Sequence, residues 1–295
     1  MKTEPTAFQY DSHLTSDQSA WDDISRYVTS LTSEPDFVQR TEAPSKDKYS
    51  AEYADELARF ADEKLAQQEE LVDAKTTTQV RLVANAAYMT HASAMINSYN
   101  EQRKSSKLSR VEWNHLGQLK EQVVWYNQML SSYLYDNSDE SFSAISQAIS
   151  DQTIDHAQDV EGAAQLIDGV IRGARTEAAT RHLLEAAGIP FRTATAKEDL
   201  QGADIVLTLP TGEYHIDIKK SLDKLAASQG GYDFTKSGEM FVIRQDHTGK
   251  KKLLFFPGFT DSDLGDKLRL DEKTTAERKD IVAAQLMRAS LKLAA

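Results

Sequence analysis

GADIVLTLPTGEYHIDIKKS, residues 202–221, alternates apolar and polar positions through two runs separated by Pro210-Thr211-Gly212-Glu213. A period of two marks a strand with one buried face, so the stretch reads as a β-hairpin. In the second run Tyr214, Ile216 and Ile218 point one way, and His215, Asp217 and Lys219 the other. In the first run Ile205, Leu207 and Leu209 share a face, which leaves Asp204, Val206 and Thr208 opposite. A connection of even length, Thr-Gly or Pro-Thr-Gly-Glu, pairs Leu209 with Tyr214. Asp204 then lies across from Lys219 and diagonal to Asp217. A three-residue Pro-Thr-Gly loop without a bulge breaks that arrangement and leaves an amphipathic hairpin carrying a surface ion pair.

Two carboxylates brought within a few ångströms repel each other, and a proton or a cation usually holds them together. All-oxygen ligation suits a hard ion such as Mg²⁺ or Mn²⁺, which polarises a phosphoryl oxygen and acidifies a bound water. A neighbouring lysine adds positive charge for a developing phosphorane. Asp204, Asp217 and Lys219 together are therefore suited to phosphodiester hydrolysis.

Outward from the hairpin, the period changes. After Pro190, short alternating runs predict strands at 191–195, 205–209, 214–219, 240–244 and 253–256, the last two flanking His-Thr-Gly-Lys. A charged helix is expected over roughly 274–293. Before Gly188 the pattern is helical. Leu57, Ala61, Leu65 and Val72 form one stripe, and Leu82, Ala86, Met89, Ala92 and Ile96 a second. Leu116, Leu119, Val123, Tyr126, Leu130 and Tyr133 form a third, with the spacing of a bundle seam. A short helix carries Trp21, Ile24 and Tyr27. The charged stretch 34–48, with two prolines, reads as a linker, and 97–109 separates the second and third long helices. From about Gln158 to Ala187 a further helix runs nearly unbroken. The expected fold is thus mixed, α/β or α+β: an N-terminal helical domain over 1–156, then a domain over 157–295 with a mixed central sheet flanked by helices.

Charge divides along the same line. The net charge is −12, yet residues 1–164 hold 14 Lys and Arg against 27 Asp and Glu, and residues 165–295 hold 20 against 19. The acidic half is a poor match for nucleic acid, whereas the neutral half can approach a phosphate backbone. The chain has no cysteine, which excludes disulfides, thiolate metal sites and a cysteine nucleophile. No apolar run approaches a membrane span, and the opening MKTEPTAFQYDS offers no secretory signal, so a cytoplasmic protein without a membrane partner is expected. No Gly-rich nucleotide loop, Ser-His-Asp pattern or zinc-ligand spacing is present.

The order of these elements carries a resemblance. Asp…Asp-x-Lys on consecutive strands, after the helix in GARTEAATRHLLEAAGIPFRTAT, resembles the PD-(D/E)xK nuclease superfamily, the restriction-endonuclease-like fold, over about residues 165–260. The resemblance implies that Asp204 and Asp217 bind Mg²⁺ or Mn²⁺ and that Glu177 binds metal or orients water. Lys219 would position or activate the nucleophilic water. It implies a metal-dependent nuclease that hydrolyses phosphodiesters, DNA in particular, with a metal-activated water. Two positions depart from the commoner pattern: Ala203 stands where proline precedes the first acid, and the second acid is Asp rather than Glu. Gln229 and Tyr232 match the superfamily's helical glutamine and tyrosine only loosely, because Gly230 and Gly231 lie between them.

Acid-x-Lys by itself carries no weight, since Asp62/Lys64, Asp73/Lys75, Asp271/Lys273 and Glu277/Lys279 also fit it. Only Asp217/Lys219 lies on a β alternation beside an acid-led strand. Secondary candidates are His215, on the acid face; His182; Lys220; and, for phosphate, Arg172, Arg175, Arg181 and Lys250-Lys251-Lys252. The alternative function is a catalytically inactive nuclease-fold module for nucleic-acid binding or protein assembly. A third reading is a helical oligomer with an incidental β appendage. The N-terminal helices suit self-association, a protein partner or a regulatory lid.

Overall fold

Apolar residues recurring every three or four positions build the acidic half of the chain. In the computed structural model, α1 (Asp17–Leu31) buries Trp21, Ile24, Val28 and Leu31. The structure describes residues 17–41, 49–68, 71–209, 212–219, 240–245 and 251–294. The expected linker begins with a helix, α2 (Pro35–Thr41). Pro35 occupies its first position, where a missing N–H costs nothing, and Asp36 favours the positive end of the helix dipole. Its buried residue, Phe37, packs edge-on against Tyr53 at 5.2 Å between centroids.

Side-chain caps set the next helix starts. Ser50 accepts from the Tyr53 N–H at α3 (Ala51–Gln67), and Asp73 accepts from the Thr76 N–H at 2.8 Å at α4 (Ala74–Ser105). Ser109 and Glu112 exchange backbone bonds at α5 (Arg110–Asp136), and Ser141 caps α6 (Phe142–His156). Helix α4 runs through the first nine residues of the stretch 97–109 expected to separate it from the next long helix. Arg103 and Lys104 in its last turn complement the helix dipole there. A buried polar knot ties α1 to the start of α6: the Trp21 indole N–H donates to Glu140 at 3.0 Å, and Lys75 pairs with the other Glu140 oxygen at 2.5 Å.

Two units emerge, Met1–Leu130 with Glu140–Ile171, and Ser131–Asp139 with Arg172–Ala295. The boundary expected at 156/157 lies instead inside α7 (Ala163–Ala186), between Ile171 and Arg172. The last residues of α5 also belong to the second unit, because Tyr135 stacks on His182 there, with ring centroids 4.4 Å apart.

The second unit is a mixed sheet with helices on it. Helix α7 stops where Gly188 adopts φ 68° and the Ile189 N–H bonds back to Leu184 at 3.0 Å. Then follow β1 (Phe191–Thr193), α8 (Ala196–Leu200), β2 (Ile205–Leu209), β3 (Gly212–Ile218), β4 (Phe241–Gln245) and β5 (Lys251–Phe255). The last elements are α9 (Asp261–Leu264) and α10 (Glu272–Ala294). The five strands lie in the order β1-β2-β3-β5-β4, with β3 and β5 parallel and the other pairs antiparallel. On one face Ile205, Leu207, Ile216, Leu253 and Phe255 pack with Ala179, Leu183 and Leu184 of α7 and Val282, Leu286 and Ala289 of α10. Val206 and Leu254 on the other face are equally buried, so both sides of the central strands are covered. A charged group on these strands therefore requires a partner.

Candidate functional site

Strands β2 and β3 carry the central acids. They pair with Leu209 opposite Gly212 and Ile205 opposite Ile216, so the connection is the two residues Pro210-Thr211. Its length is even, as the acid arrangement requires. The register differs by two residues from the expected pairing, since Leu207 and not Leu209 faces Tyr214. The shift keeps every side chain on its expected face and moves Asp204 from Lys219 toward Asp217. The Asp204 N–H donates to the Ile216 carbonyl at 2.8 Å, and its Oδ2 accepts from the Ile218 N–H at 2.6 Å. Asp204 thus grips the residues on both sides of Asp217. The Lys219 Nζ lies 2.5 Å from Asp217 Oδ1, and the Lys219 N–H continues the ladder to Phe255 at 2.9 Å. The Lys219 side chain is 45% exposed and that of Asp217 17%, so the pair opens from buried carboxylate to accessible ammonium.

Helix α7 supplies the third acid. Burial, followed by the charge of Asp204, pushes the Glu177 carboxyl up to about 8. The Asp204 carboxyl is pushed up to about 7 by burial and then by the charge of Asp217, against the pull of the Ile218 N–H and Lys219. Asp204 therefore feels the charges of Asp217 and Lys219 on β3, and Glu177 on α7 feels that of Asp204. Asp199, on the short helix α8 and absent from the sequence candidates, adds its negative charge to both Glu177 and Asp204. Its helix is legible there as the capping box Thr195-x-x-Glu198, formed in both directions in the structure. Its approach to the acids depends on tertiary packing and leaves no local sequence signal.

Among the described residues, no three His, Asp or Glu side chains converge into a ready metal cage. The donor set around Asp204 and Asp217 nonetheless fits a hard divalent cation. It is all oxygen, and the Asp204 carboxyl, raised first by burial and then by the charge of Asp217, is a group whose ionised form a cation stabilises.

The remaining candidates separate. Arg172 pairs with Asp261 at 2.7 Å. Arg175, 2% exposed, donates to the backbone carbonyls of Gly265 and Lys267 at 2.6–3.1 Å. Both arginines hold the segment around α9 and are committed to structure rather than to phosphate. His215 lies 3.5 Å from Glu198, whose carboxylate also takes a two-pronged bond from Arg192 at 2.8 Å. That network draws the imidazole along the acid face toward α8. His182 stacks on Tyr135. Lys220, Gln229, Tyr232 and Lys250 lie outside the described residues. The backbones of Lys251 and Lys252 pair with Gln245 and Arg244.

No family model matches the chain, and no curated protein or solved structure matches it either. Among the described residues no helix is long and apolar enough to cross a membrane.

Proposed function

We propose that the second unit is a Mg²⁺- or Mn²⁺-dependent nuclease of the restriction-endonuclease-like kind, hydrolysing phosphodiester bonds in DNA. The observation that carries the reading is the grip of Asp204 on both neighbours of Asp217, with Lys219 on the Asp217 carboxylate. An isolated surface hairpin has no need of a half-buried acid whose carboxyl rises to about 7. Asp204 and Asp217 would hold the cation, with Glu177 beside them. Bound there, it neutralises phosphoryl charge and acidifies water. Lys219, tethered through Asp217 and open to solvent, presents its ammonium where the phosphoryl oxygens gather charge in the transition state. Glu177 would orient the attacking water, whose proton passes to solvent as its oxygen attacks phosphorus and the phosphorus–oxygen bond to the leaving group breaks. The leaving oxygen then takes a proton from solvent.

The test is DNA cleavage by the full chain with Mg²⁺. Asp217→Asn and Lys219→Met each lower the rate by about 10²–10⁴-fold and leave the far-UV circular dichroism unchanged. Mg²⁺-dependent turnover that survives both substitutions ends the reading.

A specific observation favours the second reading, a catalytically inactive nuclease-fold module that binds nucleic acid or assembles with protein: no three acid or histidine side chains converge among the described residues. Calorimetry separates the two. Absence of Mg²⁺ and Mn²⁺ binding heat, together with a melting temperature indifferent to Mn²⁺, selects the module.

A further inference from the structure

Arg181 lies one turn beyond Glu177 on the same side of α7, and only 7% of its surface is exposed. Its Nε and Nη1 are buried and have no hydrogen-bond partner among the described residues. The guanidinium carbon stands 4.0 Å from the centre of the Tyr135 ring, which supports the charge from one side through its π-face. Tyr135 is itself fixed, because its hydroxyl donates to Glu185 at 3.0 Å and its ring stacks on His182 at 4.4 Å. Arg175, six residues earlier on the same helix, is equally buried, but it spends its donors on the Gly265 and Lys267 carbonyls. The helix therefore carries one buried arginine satisfied by backbone and one with two guanidinium nitrogens that no described residue partners.

Buried N–H groups are almost always paired, and a guanidinium cannot lose its charge to escape the cost of burial. Two adjacent unpartnered guanidinium nitrogens suit an anion with two oxygens, a carboxylate or a phosphoryl group. Glu177, Asp199, Asp204 and Asp217 already crowd this side of the unit with carboxylates. A further carboxylate gains little there, whereas a phosphodiester brings the non-bridging oxygens that the acids' chemistry would act upon. We infer that Arg181 binds a non-bridging oxygen of the phosphodiester, and of the product phosphate, at the acid site. This inference rests on the nuclease reading and adds to it the group that holds the substrate's phosphate in place.

The full chain tests it in two assays, with Mg²⁺ held constant. In the first, inorganic phosphate is titrated and melting is followed by far-UV circular dichroism. Phosphate is expected to raise the melting temperature of the parent. Arg181→Gln removes that rise, and Arg181→Lys, which keeps the charge but loses the fork, restores part of it. In the second, DNA cleavage by Arg181→Gln falls about tenfold or more in kcat/KM, with partial recovery in Arg181→Lys. Phosphate that stabilises the parent and Arg181→Gln alike, or stabilises neither, overturns the inference. Should Arg181→Gln fail to fold, a phosphate response in Arg181→Lys equal to the parent's overturns it too. Cleavage that persists at the parental kcat/KM in Arg181→Gln removes the role of Arg181 and leaves the nuclease standing. A phosphate response that depends on Arg181, in a chain that cuts no DNA, keeps the anion site and removes the nuclease.

Discussion

Raising the pH of the cation-free protein forces charge onto two half-buried carboxyls, and the second unit loses stability in consequence. Glu177 is pushed up to about 8 and Asp204 to about 7, while an unfolded chain ionises both near pH 4. A carboxyl with a raised pKa keeps its proton in the folded state after the unfolded chain has released it. The contribution of these two groups to stability is therefore full below pH ~4 and falls as pH rises toward ~8, where the loss is complete. Each shift of about three pK units corresponds to ~4 kcal/mol. The repulsion between the acids contributes to both shifts, so the pair together is worth on the order of 4 to 5 kcal/mol.

Asp204→Asn isolates this effect. Its amide oxygen still accepts from the Ile218 N–H, yet it removes one charge and lowers the cost of ionising Glu177. Relative to the parent, the variant should gain about 3 kcal/mol at pH 9 and almost nothing at pH 4. His182, held below its ordinary pKa by burial, has the opposite pH dependence, but it is common to both proteins and cancels in the comparison. Urea denaturation with a chelator at several pH values measures the difference. Far-UV circular dichroism or amide exchange in β2 and β3 is the proper probe. Trp21, Trp113 and Trp125 all lie in the first unit, so indole fluorescence does not report on the sheet. Stability curves of equal pH slope for parent and variant, or a variant less stable at pH 9, would refute the reasoning.

Other outcomes follow from the same geometry. Mg²⁺ added to the parent should flatten its stability curve above pH 7 and leave that of Asp217→Asn steeper, as read by urea midpoints. Arg175→Met should destabilise the second unit by about 3 kcal/mol, because the carbonyls of Gly265 and Lys267 lose their buried donor; chemical denaturation followed by circular dichroism checks this. Glu140→Ala strands the buried Trp21 N–H and should cost about 1–3 kcal/mol, with a shift in indole emission, while Glu140→Gln retains an acceptor and loses less.

The hairpin was legible because period-two alternation and an acid at the head of each run are properties of neighbouring residues. The faces of Asp204 and Asp217 followed from that alternation, and any even connection preserves them. The register did not follow. It depends on which two residues turn the chain, and a shift of two leaves the apolar pattern unchanged. Glu177 could be placed on its helix only through the family resemblance, since nothing local distinguishes it from Glu185. Asp199 and the tie of Arg175 to α9 are long-range meetings of ordinary surface-type residues, which leave no pattern in a single sequence. The helix at 35–41 is hidden for a different reason: proline is punctuation in most contexts, yet at the first position of a helix it is a start signal.

The second unit draws Ser131–Asp139 from a stretch of chain that precedes Glu140–Ile171 of the first. The two are therefore interleaved modules, and neither can be inherited or excised as one uninterrupted piece of gene. A fragment starting at residue 157 would keep Glu177, Asp204, Asp217 and Lys219 and lose Tyr135, the ring beneath Arg181. Recombination that moved only the strands and their acids would leave behind Ser131–Asp139, a piece of the second unit's own body, and with it the ring against which Arg181 rests.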